Sequence, residues 1–168
     1  MTADKPDFIG LWQRYQALST GDKAVFKRVS DPDELREFHA LYKLFPQGRA
    51  HEGWLRAAFL LPWCDDCGDA KRQSCQKLGK LLVSRSVNES RVLQVARSNS
   101  PNDIVQFRRL MIQLKNPILN WDELGRFLYP SDHEPSSPAN SWEWSGKAKR
   151  KLVEHYYLAQ FSPAKGDK

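Results

Sequence analysis

Two stretches of this chain spell out the start of a helix residue by residue, and the apolar spacing behind them is helical. Asp31-Pro32-Asp33-Glu34 and Ser100-Pro101-Asn102-Asp103 each set a capping residue before a proline, with acids in the next turn. A short polar side chain at the cap accepts from free backbone N–H groups. Proline at the first helical position forfeits only an N–H that has no partner there. An acid in the first turn offsets the positive end of the helix dipole. Behind the first signature come Leu35, Phe38, Leu41 and Tyr42, predicting a helix that runs until Pro46; behind the second, Ile104, Phe107, Met111 and Leu114 share one stripe.

The same period recurs along the chain. Phe8, Leu11, Trp12, Tyr15 and Leu18 fall at helical spacing and predict a helix ending before Thr20-Gly21. Further helices are expected over 23–29, 53–61 (stopped by Pro62), 76–83, from Asn88 through Ala96, from Asn120, and over 145–161. The Pro- and Ser-rich stretch 130–141 reads as a loop. No Asn-Gly or Asp-Gly turn lies between alternating segments, so strands are not expected. The fold class is therefore all-α, with about nine helices in two small tandem bundles. Their seam is placed near residues 84–88, giving an N-terminal bundle over 1–86 and a four-helix bundle over 87–168. Short connections favour antiparallel neighbours.

Of the 168 residues 40% are hydrophobic, enough for a real core. The longest apolar run, 57–63, is interrupted by Pro62 and falls well short of the ~18–20 residues of a membrane span. Met1 through Asp7 carries neither the basic start nor the apolar stretch of a signal peptide, which predicts a cytoplasmic protein with no membrane partner. The net charge is +6, which favours a polyanionic partner. Lys and Arg exceed Asp and Glu equally in the two halves, so an anion-binding surface must be assembled by folding.

Catalytic motifs are missing from the sequence. His39, His51, His133 and His155 form no metal-ligating pair, and there is no nucleophile elbow or phosphate loop. No catalytic residue and no cofactor is expected. Cys64-Asp65-Asp66-Cys67, with Cys75 beyond it, could supply half or more of a zinc site with His51 as a fourth ligand. Structural zinc normally shows two such pairs, and the expectation is of ordinary thiols and no metal.

The basic residues carry the better signal. On the 101–115 helix Arg109 lies opposite the apolar stripe and Arg108 at its margin, so both are expected to point outward. On the helix opened by Asn88, Arg91 and Arg97 flank the stripe. Lys147, Lys149, Arg150 and Lys151 fall in the first turns of a last helix starting at 145, where cations oppose the dipole. That oddity would suit a bound phosphate. Trp142 and Trp144, just ahead of it, could stack bases or plug the bundle.

Several of these segments together resemble the CasB family, the small subunits of the type I-E CRISPR Cascade complex. They are Arg28-Val29-Ser30-Asp31-Pro32-Asp33-Glu34-Leu35-Arg36, Asn88-Glu89-Ser90-Arg91 with Arg97, the run 103–110, Trp121 with Leu124 and Leu128, and Trp144-Ser145-Gly146-Lys147. The cysteine stretch has no counterpart in that pattern. The resemblance implies a non-catalytic helical subunit that offers basic residues to nucleic acid and steadies the displaced non-target strand during R-loop formation. It implies partners too: the large Cascade subunit, the repeated backbone subunit, a second copy of the chain, and single-stranded DNA, with guide RNA as a further candidate. The basic positions that match are Lys27 or Arg28, Arg49, Arg56, Lys80, Arg91, Arg97, Arg108, Arg109 and Lys147, with Lys149 and Arg150 in the same turn. Two other readings stay open. One is a helical, sequence-specific DNA-binding regulator; the other is a structural subunit whose bases meet partner proteins or guide RNA.

Overall fold

A computed structural model describes residues 7–45, 52–99, 101–128 and 141–161. Among them the chain is helical: α1 (Phe8–Gln16), α2 (Thr20–Arg28), α3 (His39–Leu44), α4 (Glu52–Leu60), α5 (Leu78–Ser84), α6 (Glu89–Arg97), α7 (Asn102–Gln113), α8 (Trp121–Leu128) and α9 (Ser141–Phe161). No helix among the described residues is long and apolar enough to cross a membrane.

The starts are written locally. Asp7 caps α1 by accepting from the Gly10 N–H, Ser19 caps α2 through Asp22, and Asn88 caps α6 through Ser90. At Asp31 the cap also forms, but it opens a 3-10 turn, Pro32–Glu37, and not the single helix that the spacing predicts. The chain straightens at Phe38 (φ −111°, ψ 131°) before α3. Leu35 and Leu44 are nine positions apart and would point in opposite directions on an unbroken helix of about 100° per residue. With the break, both are fully buried.

Packing on α9 joins the two halves of the sequence. Helix α5, expected in the N-terminal half, packs most extensively on α9, and α6 packs on both α7 and α9. The halves meet again at α8, which packs on α1 and α4, and α4 also meets the 32–37 turn. Two glycines permit close approaches between elements. A Cβ on Gly79 would stand 2.6 Å from the His155 Cβ and 2.7 Å from its carbonyl carbon; one on Gly125 would stand 2.0 Å from the Phe8 ring. The fully buried Trp121, Phe26, Phe59 and Phe107 are the largest side chains of one continuous core.

The one strand pairing among the described residues is small. Asp65–Asp66 pairs in parallel with Ile118–Leu119, two residues a side, too short to leave an alternating pattern in sequence. This pairing sits in the cysteine segment. The Asp66 carboxylate accepts two bonds from Arg72 (2.9 and 2.8 Å) and one each from the N–H groups of Trp121 and Gly68. Arg72 reaches on to Asn120 Oδ1 (2.7 Å), which itself caps α8 through Asp122. The segment is thus a hydrogen-bonded clip, and Trp121 closes it by donating Nε1–H to the Cys64 carbonyl (3.1 Å). The three cysteines are free. The Cys75 thiol is pushed up to about 12, by burial first and then by its hydrogen bond with Cys67, which disfavours the thiolate that a metal needs. Among the described residues no three His, Cys, Asp or Glu gather as metal ligands; His51 lies outside them.

Candidate nucleic-acid interface

Helices α6 and α7 lie side by side, and each turns a polar stripe toward their seam. On α6 the stripe is Arg91 and Gln94; on α7 it is Gln106, Arg109 and Gln113, all at spacings of three or four that share a helix face. Arg91, Gln94, Gln106, Arg109 and Leu110 line a cleft of about 220 Å³. The Arg91 guanidinium donates to Gln113 Oε1, which fixes its direction across the seam. Arg109 is exposed and has no ion pair among the described residues.

Arg108 links this cleft to the end of α2. It was expected to point outward; instead its guanidinium lies 4.5 Å from the centre of the Phe59 ring and donates to the Val29 carbonyl. The stripe margin on which it sits faces α2 once the core closes, and cation–π contact with Phe59 holds it there. Burial, the neighbouring Arg109 charge and, opposing both, Glu34 together lower its pKa from the usual arginine value. Lys27 and Arg28, exposed in the last turn of α2, immediately precede the Val29 that Arg108 grips. Cations of α2, α7 and α6 are thereby brought onto adjoining elements.

Two of the expected contacts are interior. Arg56 is 3% and Lys149 7% exposed, and both pair with Asp103, itself 2% exposed. Arg56 donates to both Asp103 oxygens (3.0 and 2.9 Å) and to the Leu128 carbonyl (2.7 Å); Lys149 Nζ lies 3.0 Å from Asp103 and donates to the Ser98 carbonyl (2.8 Å). Burial alone would raise the Asp103 carboxyl, but the Arg56 hydrogen bonds and charge, with those of Lys149, hold it below the usual carboxylate range. Both cations are neutralised inside the fold, where a buried charge requires a partner, so neither is available to an external phosphate.

The remaining positions divide. Arg97 is exposed in the last turn of α6, and Arg150, next to Lys149, is exposed on α9. Because Lys149 is tied to Ser98, these two cations flank one junction. Lys80 is exposed on α5, a helix that packs on α9. Arg49 lies outside the described residues, as does the side chain of Lys147 within α9. The last helix begins at Ser141 and not at the expected 145, so Lys149 and Arg150 fall in its third turn and Trp142 and Trp144 inside it. The dipole acts only over the first turn, so these cations oppose nothing.

Sequence reasoning missed Asp103 as a hub, because an acid after a cap and a proline is already explained by the helix dipole. It missed Gln94, Gln106 and Gln113 as well, although their spacing from Arg91 and Arg109 was there to be read.

No protein-family model matches the chain. It is 30% identical over 167 residues to the CRISPR system Cascade subunit CasB of Escherichia coli strain K12, an alignment covering 93% of this chain and 96% of that protein. Among solved structures it matches a chain in the crystal structure of E. coli Cascade bound to a PAM-containing double-stranded DNA target. There the TM-score is 0.72 at 27% identity, over 93% of this chain and 99% of the other.

Proposed function

Because the chain belongs to the CasB family, the small subunits of the type I-E CRISPR Cascade complex, we propose that it serves as a non-catalytic clamp on single-stranded DNA within that complex. Its task is to hold the non-target strand displaced as guide RNA pairs with the target. A displaced strand has no fixed sequence, so its holder must grip phosphates and not read base edges. The observation that carries the reading is the run of exposed cations on adjoining elements: Lys27 and Arg28 on α2, Arg109 on α7, Arg91 on α6. Arg97 and Arg150 extend the set beyond the cleft. R-loop formation is nearly balanced, so a few kcal/mol of backbone contact tips it.

The apolar surface suits protein neighbours. Leu158 and Phe161, 55% and 79% exposed at the end of α9, would meet another subunit or a second copy of the chain, leaving the cationic elements to nucleic acid. The large and the repeated backbone subunits are the expected partners, in the cytoplasm.

Comparing the adjacent arginines tests the reading. In the assembled complex, Arg109→Ala should weaken target binding with assembly intact, because Arg109 is exposed and has no ion pair among the described residues. Arg108→Ala should lower the melting temperature of the free chain as well, since it removes the Phe59 contact and the Val29 bond. Target affinity untouched by Arg109→Ala across salt concentrations, measured by filter binding, would contradict the assignment.

A further inference from the structure

Phosphate-gripping needs only cations, yet half the polar lining of the α6–α7 cleft is carboxamide. Gln94 and Gln106 line it together with Arg91, Arg109 and the buried Leu110. Neither carboxamide has a hydrogen-bond partner among the described residues, although Gln113 on the same stripe is engaged by Arg91. The volume, about 220 Å³, is below the ~300–1,000 Å³ of pockets for larger organic ligands. It is too small to enclose a whole nucleotide and can seat only part of one against the surface.

We propose that this cleft is a subsite for one nucleotide of a single strand: Arg91 and Arg109 take its phosphate, and Gln94 and Gln106 take the edge of its base. The inference deepens the strand-holding reading and rests on it. A carboxamide carries both an acceptor oxygen and two N–H donors and can turn to present either. Two of them can therefore meet the edge of any base, which makes the subsite tolerant of sequence. Leu110 supplies an apolar floor for the ring. In a duplex the Watson–Crick edges are engaged in pairing, so only a single strand can offer that edge to the cleft. The sequence-tolerant grip required of a strand holder thus acquires one point at which the base, and not the backbone alone, contributes.

The test is binding of the full chain to oligothymidylate and to oligouridylate, each against an abasic strand of the same backbone and length, over a range of salt. Wild type should prefer the base-bearing strand by roughly two- to tenfold, the worth of about one net hydrogen bond. Gln94→Leu with Gln106→Leu should bring that ratio near one while leaving the salt dependence unchanged, since no charge is removed. Arg91→Ala with Arg109→Ala should flatten the salt dependence for all strands. Of the DNA and RNA arms, the one with the larger ratio identifies the strand the cleft takes. Equal binding of base-bearing and abasic strands by wild type in both arms, or a preference that survives the glutamine substitutions, overturns the subsite and leaves the strand-holding reading in place. Should the arginine substitutions also leave affinity and salt dependence unchanged, the strand-holding reading itself fails.

Discussion

Asp103 is the residue on which the interior charges depend. Its carboxylate is the meeting point of Arg56 from α4 and Lys149 from α9; through these cations it reaches the Leu128 carbonyl at the end of α8 and the Ser98 carbonyl after α6. Removing one member of a buried ion group leaves the others uncompensated and typically costs about 3–5 kcal/mol. Asp103→Asn, which preserves shape and loses the charge, should therefore lower unfolding free energy by about 3 kcal/mol or more in urea titration. Because the folded carboxyl is held below its ordinary value, the stabilisation is fully present above the unfolded value of about 3.9. It is lost as pH falls through the lower folded value. The difference between wild type and Asp103→Asn should accordingly shrink below about pH 4; a difference constant with pH would show that the charge is not what matters. From sequence Asp103 looked like an ordinary first-turn acid, since burial is decided by what packs on the helix and not by its cap. The same limit applied to Arg56 and Lys149, basic residues whose charge is spent inward.

At the scale of elements, local chemistry was the most legible. The caps at Asp7, Ser19, Asn88 and Asn120 stand where short polar residues precede apolar periodicity. Three boundaries were not legible. Thr20-Gly21, read as the break before a helix over 23–29, opens α2 instead. The 32–44 stretch breaks at Phe38 because an unbroken helix could not bury Leu35 and Leu44 together, a demand set by the core. The start of α9 at Ser141 lies in a stretch whose Pro and Ser content reads as loop. The α5–α9 crossing was hidden in the same way: Gly79 sits in a short helix where glycine is locally unfavourable, and its reason is the backbone of His155 and Tyr156, 2.7 Å from where a Cβ would be. Backbone cannot give way as a flexible side chain can. Gly79→Ala should then destabilise the chain despite alanine's better helix propensity of about 1 kcal/mol, lowering its melting temperature; an increase would mean that the crossing is looser than described.

For the whole molecule, all-helical architecture and a distributed positive charge followed from period and composition, but the placing of the cations did not. Folding sorted the basic residues into three kinds. Arg56 and Lys149 hold the interior together, Arg72 and Arg108 fasten segments to each other, and Lys27, Arg28, Arg91, Arg97, Arg109 and Arg150 remain exposed. Exposed cations such as these can attract a phosphate backbone, and they come from elements far apart in sequence, which is why no basic tail or run announces them. The most direct test is the slope of log affinity for single-stranded DNA against log salt concentration, measured for the full chain and for a variant with Lys27, Arg28, Arg91 and Arg109 all replaced by alanine. Each phosphate contact on a single strand contributes about −0.7 to that slope. The account predicts that the variant's slope is shallower by about 2–3, with its helical circular dichroism unchanged. An identical slope in the two proteins would contradict it.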